Sequence, residues 1–319
     1  MANTNFDRVA TMTLQNHGKE IFDNITTNNA LLYMLKKRGN IKTVSGGREF
    51  THPLYYAVNT SFKSYAKLDA IDTPIMDNVT RAQYPIKVVA GSLVISTIEE
   101  AQNAGDKEKL LDLAEQVKLD AELSMSEVLG DQVWKDGSSA NDFDGLQALI
   151  SDTPSTQTDV GGINPTTYSY WRNTATSTTV TAFNSSSEGL TAMNTMLNTL
   201  TYGRKGPRAI ITTKAIYALY EIGLTSNIRY ATTELADAGF LHLAYATMPV
   251  LFDDNCPASH MYFVDTDSLW LQVLSRANMA VTPFEYSHNQ LSKTALMYLA
   301  GNLTTGSRRT NGVLTAITG

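Results

Sequence analysis

A chain of 319 residues and 34.9 kDa exceeds the roughly 250–300 residues at which a single hydrophobic core usually stops growing, so two packed units or one with large excursions are expected. Its 43% hydrophobic and 18% charged residues exclude wholesale disorder, a collagen-like repeat and a coiled-coil rod. A net charge of −6 and a pI near 5.4 argue against a surface that grips nucleic acid all over, and one cysteine, Cys256, excludes an internal disulfide framework.

Met1 to Glu20 contains no apolar run of the signal-peptide kind. The first 45 residues carry a net charge of +3 against about −9 for the remainder. That asymmetry suits an arm facing a polyanion or the acidic body of a neighbouring copy, and equally a solvated helix end. Asn28 or Asn29 can cap a short helix through Leu31, Leu32 and Leu35, with Lys36, Lys37 and Arg38 in its last turn before Gly39. From Gly46 the period becomes two: Phe50, His52, Leu54 and Tyr56 read as one strand of a hairpin, and Ile86, Val88, Ala90, Ser92 and Val94 as its partner. Between them Ala57 to Arg81 is polar, with Phe62, Tyr65, Leu68 and Ile71 as its main large apolar side chains. A connection of that length is usually functional or protruding. Residues 46–95 therefore read as a two-stranded arm leaving the body, which needs a further surface to lie on.

The clearest helix runs from Asp106 to Gly130, with Leu110, Leu113, Ala114, Val117, Ala121, Met125 and Val128 as its apolar stripe. Residues 151–188 hold 17 Ser or Thr among 38, yet Tyr168, Tyr170, Trp171, Val180 and Phe183 mark them as folded, loop-rich surface of a second domain. A helix over 187–202, a strand over 208–212 and a helix capped by Thr213 follow. The runs 248–252, 261–264, 269–274 and 279–284 read as strands of a mixed sheet, and 294–303 and 312–317 as two more. The longest mainly apolar stretch, Phe240 to Phe252, is broken by His242, Thr247 and Pro249 and is too short for a membrane span, so the expectation is a soluble protein.

Phosphate-binding, dinucleotide-binding, zinc-hydrolase and serine-hydrolase fingerprints are missing. Cys256 beside His260 offers a weak candidate nucleophile, for which a buried small side chain is the simpler reading. Asp253, Asp254, Asp265 and Asp267 cluster in sequence as the oxygen ligands of a hard cation do, a pattern that turn-forming aspartates also produce. Lys36-Lys37-Arg38 and Arg308-Arg309 are basic enough to touch phosphates without reading bases.

The order of elements carries more than any motif: basic arm, long hairpin, one long helix, a mixed domain, then returning strands. In this order, and in Asn29-Ala30-Leu31-Leu32 through Gly39, Gly46-Gly47-Arg48-Glu49-Phe50 leading to Pro53-Leu54, Phe143-Asp144-Gly145-Leu146, Tyr170-Trp171-Arg172-Asn173, and Met248-Pro249-Val250 followed by Phe263-Val264-Asp265, the chain resembles the major capsid protein of tailed bacteriophages, the Hong Kong 97 type fold. The resemblance spans essentially the whole chain. It implies an α+β fold with an N-terminal arm (1–45), an extended β-hairpin loop (46–95), a peripheral domain (96–150 and 286–319, spine helix 106–130) and a mixed α/β axial domain (151–285).

By the same resemblance Phe50, Leu54, Tyr56, Phe62, Tyr65, Leu68 and Ile71 of the loop would contact other subunits. Lys36, Lys37 and Arg38 would face packaged double-stranded DNA. The implied partners are copies of the chain in hexamers and pentamers, portal and scaffolding proteins, and decoration proteins where present; no membrane, cofactor or metal enters, and no catalysis. Scaffolding would come from a separate protein or from a segment removed by cleavage. Lys63 and Lys67 are placed for the covalent cross-link some relatives form, but without a recognisable partner, so noncovalent locking is expected. The location implied is the virion capsid, assembled in the host cytoplasm. Two rivals remain: an encapsulin-like nanocompartment shell and a metal-dependent hydrolase built on the aspartate cluster.

Overall fold

The computed structural model describes residues 29–71, 73–98, 113–177, 183, 188–224, 243–287 and 290–318; the chain before Asn29, the expected cap at Asp106 and Val180 lie outside them. Helix α1 (Ala30–Lys37) buries Leu31, Met34 and Leu35 and ends at Gly39, whose φ of +69° is the left-handed conformation that favours glycine. Asn29 occupies the N-cap, but its side chain does not cap. That service comes from Asp253, whose Oδ2 accepts the Leu31 N–H at 3.0 Å.

Strand β1 (Ile41–Val44) then runs parallel to a strand near the chain's far end. The hairpin differs from expectation. Strand β2 (Glu49–Tyr55) pairs antiparallel with β3 (Val79–Pro85), Phe50 opposite Tyr84 and Leu54 opposite Thr80. The expected partner instead becomes β4 (Lys87–Ser96), which joins the body. Pro85 has no N–H to continue a ladder, and it stands where β3 ends. The β3 sequence is polar apart from Val79, Ala82 and Tyr84, so it carries too little periodic signal to be found. In β4 the inward parity is also the reverse of that expected. Leu93 and Ile95 are buried while Val88 and Val94 are exposed. Both faces of β4 are apolar, and contact with the long helix selects one of them.

That helix, α2 (Leu113–Gln132), lies against β4. Val117, Met125 and Leu129 face the core and Val128 faces out. Gly130 does not stop it: the helix runs two residues further, and a Cβ at Gly130 would sit 2.4 Å from the Asn29 side chain. The glycine is therefore where α1 is allowed to approach the long helix. Helix α3 (Leu146–Leu149) and a 3-10 turn (Ser169–Trp171) follow.

The remaining elements are β5 (Thr174–Ser177), α4 (Glu188–Leu200), β6 (Ala209–Thr212), α5 (Lys214–Gly223), β7 (Leu243–Tyr245), β8 (Met248–Phe252), β9 (Met261–Val264), β10 (Leu269–Leu274), β11 (Ala280–Val281), β12 (Glu285–Tyr286), β13 (Ser292–Thr305) and β14 (Gly312–Thr315). One sheet has the order β1-β10-β13-β11, with β4 and β12 also paired to β13; the other has the order β5-β14-β9-β6-β8-β7. Strands β6 and β9 are buried throughout. Ile211 and Tyr262 point into a core shared with α1, α2 and the hairpin, whereas Ile210 and Phe263 point into one shared with α4 and α5. A sheet covered on both faces needs continuous apolar runs. Two strands cross the boundaries expected from sequence. β10, assigned to the axial part, lies in the sheet with β13, and β14, assigned to the peripheral part, lies in the other.

Arg308 ties these regions together. Its side chain, 1% exposed, donates to Leu149 O (2.7 Å), Trp171 O (3.0 Å), Gln157 Oε1 (2.6 Å) and Asn173 Oδ1 (3.0 Å). Burial lowers its pKa to about 10, which leaves the guanidinium charged at neutral pH. A buried cation is tolerable here because carbonyl dipoles occupy its planar fork. Arg308 is thus a structural hub and not the phosphate contact its sequence suggests. Arg309 lies over the Tyr202 ring at 3.6 Å.

Candidate assembly surface

The hairpin divides into a docked root and an exposed tip. At the root, Phe50 and Leu54 are 2% and 7% exposed and belong to the chain's own core. Their assignment to a neighbouring subunit is therefore corrected: alternation in β2 points them at the body, whose apolar surface is nearer. Tyr84, also buried, donates its hydroxyl to Thr305 O at 3.0 Å. Gln272 Nε2 donates to His52 Nε2 at 3.0 Å, and the imidazole stacks on Trp270 at 4.9 Å. Burial, with Lys42 nearby, holds His52 down at about 4, so its ring is neutral. On the other strand the Gln83 N–H donates to Gly161 O at 2.8 Å.

Beyond Tyr56 the character changes. Val58, Phe62, Leu68, Ile71 and Ile75 are 68–103% exposed. Turns held by local bonds shape the segment: Asn59 Oδ1 accepts from the Ser61 N–H and hydroxyl, Tyr65 donates its hydroxyl to Ser61 O, and Asp69 accepts from the Ala66 N–H. Five large apolar side chains are thus left in water between residues 58 and 75. Val58 and Ile75, in the same polar connection, were not singled out in the sequence although the same signal applies to them. A second apolar strip lies on the open face of β4 and β13, where Val88, Val94 and Leu296 are exposed.

The basic end of α1 is partly engaged. Lys36, Lys37 and Arg38 are all exposed, and Arg38 pairs with Asp267 at 3.6 Å, a carboxylate that also takes Arg208 at 3.2 Å. Lys42 lies over Trp270 at 4.4 Å.

The four clustered aspartates turn to four different tasks. Asp253 caps α1 and accepts the Asn255 N–H; Asp254 pairs with Lys214 at 2.7 Å; Asp265 accepts from the Thr310 hydroxyl at 2.7 Å and from the Asp267 N–H; Asp267 bridges two arginines. Among the described residues no group of three or more His, Cys, Asp or Glu could hold a metal ion. Cys256 is buried, burial pushes its thiol up, and its Sγ faces the backbone carbonyls of Pro257 and His260. The His260 ring turns away, to Ala258 O and to Asp152 Oδ2 at 2.9 Å, an ion-pairing geometry that raises its pKa. No helix among the described residues is long and apolar enough to cross a membrane.

This architecture is an α+β fold of the phage-capsid type. The chain resembles the capsid protein of cyanophage A-1(L), at 16% identity and a TM-score of 0.76 over 96% of this chain and 98% of that one. It also resembles the capsid protein of Myoviridae phage XM1 (12% identity, TM-score 0.59, 95% and 97% covered). The SrpI encapsulin of Synechococcus elongatus PCC 7942 has the same arrangement (10% identity, TM-score 0.57, 94% and 92% covered). No protein-family model matches the chain, and no curated protein matches it in sequence.

Proposed function

We propose that the chain is a major capsid protein of a tailed phage, assembling through hexamers and pentamers into an icosahedral head around double-stranded DNA. The observation that carries this reading is the tip of the hairpin, whose apolar side chains are exposed among the described residues while the root beneath them is fixed. A symmetric shell supplies cover for them once per copy, and many modest contacts sum across a closed lattice. The work is assembly, with no catalytic step. Residues 57–78 would lie on an adjacent copy, and the peripheral and axial regions would follow the Hong Kong 97 pattern. Lys36 and Lys37, with Arg38 in support, would meet DNA phosphates without regard to sequence. Portal and scaffolding proteins, decoration proteins where present, a virion location and assembly in the host cytoplasm belong to the same proposal.

An encapsulin-like shell enclosing cargo is the second reading, favoured by the likeness to the SrpI encapsulin. A shared fold does not choose between the two. Electron microscopy of particles from expressed protein, with their nucleic-acid content, does. Regular shells competent to hold DNA support the proposal, DNA-free shells holding protein support the second reading, and no shells refute both. Neutralising Lys36, Lys37 and Arg38 together should make retention of packaged DNA less sensitive to added salt. An unchanged salt dependence removes the DNA-facing assignment.

A further inference from the structure

The loop's two ends meet at one side chain. Tyr56 donates its N–H to Asn78 O at 3.1 Å and its hydroxyl to Asp77 O at 2.7 Å, closing the loop that runs from 57 to 78. Its ring stacks on Tyr170, centroids 5.1 Å apart and planes 21° from parallel, and Tyr168 flanks Tyr170 at 5.7 Å. The turn that carries Tyr170 is held on both sides. Trp171 donates its indole N–H to Val160 O at 2.8 Å, Arg308 holds Trp171 O, and Arg172 donates to Pro165 O and Thr166 O. The root of the hairpin is fixed lower down by Phe50, Leu54 and Tyr84. The tyrosine stack lies where the chain enters the loop.

The geometry points to Tyr170 as a positioning residue that sets the direction in which the loop leaves the body, and through it the match between neighbouring copies. This rests on the assembly reading above for its consequence, though not for its geometry. Each arm of a 22-residue loop spans at most roughly 35 Å, so a swing of about 10° at the stack moves the tip by up to about 6 Å. A displacement of that size separates surfaces that pack in direct contact. Because Tyr168, Tyr170 and Tyr56 are all half-buried or exposed, the stack contributes direction more than core stability. An aromatic pair of this kind shifts the balance of docked and displaced loop by about ten-fold.

Nitroxide labels at Leu68→Cys and Thr153→Cys, both exposed sites, report the angle in the unassembled full chain by dipolar electron resonance; the native Cys256 is buried and leaves the labelling to the introduced thiols. A single narrow distance distribution is expected for the otherwise native chain and for Tyr170→Phe, which keeps the ring. Tyr170→Ala should broaden it, with the displaced population rising about ten-fold, while its melting temperature stays close to native. Under assembly conditions Tyr170→Ala should give particles of mixed diameter, restored to uniform by Tyr170→Phe. A Tyr170→Ala distribution as narrow as the native one overturns the inference, as does loss of uniformity in the phenylalanine variant. If the native chain forms no shells but the distances respond as described, the assembly reading falls and the positioning role stands.

Discussion

Phe62, Leu68 and Ile75 at the tip of the hairpin are 85%, 96% and 103% exposed, so replacing all three with serine costs the isolated chain almost nothing. Exposed positions of this kind change folding stability by about 0.5 kcal/mol or less. If each side chain is covered by a neighbouring copy, each contributes about 1.5–3 kcal/mol to that contact. Leu68→Ser alone, at about 2 kcal/mol, should raise the concentration needed for shell formation about 30-fold. The triple variant, at about 6 kcal/mol, should raise it about 10⁴-fold and stop assembly at ordinary concentrations. Sedimentation and light scattering over a concentration series read the threshold, and calorimetry of the unassembled species reads the fold. Phe50→Ala is the contrasting variant. Its side chain is buried in the chain's own core, so it should lower folding stability by about 3–5 kcal/mol. A triple serine variant that assembles at the native threshold refutes the reasoning, and so does one whose unassembled form melts far below native.

Two further consequences concern the body. Arg308→Met leaves Leu149 O, Trp171 O and two side-chain carbonyls short of donors, and chemical denaturation should show a loss of about 3–5 kcal/mol; Arg309→Met should cost about 1 kcal/mol at most, and equal losses at the two positions would contradict the hub. Asp253 is 1% exposed, and burial lifts its pKa to about 6 from an ordinary 3.8. The folded chain then holds that proton more tightly than the unfolded one. Stability from this group is greatest below about pH 4 and is lost as pH rises through about 6, a difference of about 3 kcal/mol. His52, held down at about 4, contributes a slope of opposite sign over the same range in both chains, so the quantity to read by denaturation from pH 4 to 7 is the difference between the native chain and Asp253→Asn. The native chain should lose stability relative to the variant by about 3 kcal/mol as pH rises, and a difference that stays constant with pH refutes the assignment.

Local pattern carried much of the architecture. The 3.6 period in residues 187–202, the caps at Thr213 and Gly39, and the unbroken apolar runs at 248–252 and 261–264 announce elements that the structure contains, because each is written in residues close together in the chain. The exposed apolar tip was legible in the same way at Phe62, Leu68 and Ile71, as large apolar side chains in a polar connection too long for a compact turn. Pairing was not. β4 is apolar on both faces, so its inward side depends on where α2 lies, and β3 is found only through its partner. The capping of α1 by Asp253, the seat of Asn29 against Gly130 and the four carbonyls around Arg308 join residues from about 100 to 220 positions apart. No local period records such distances. Local sequence settled most of the longer helices and strands, though not β1 or β3, and which side chains prefer to leave water. Tertiary structure alone decided which of those side chains the chain could cover by itself, since that depends on the distance to the nearest apolar surface once the chain has folded.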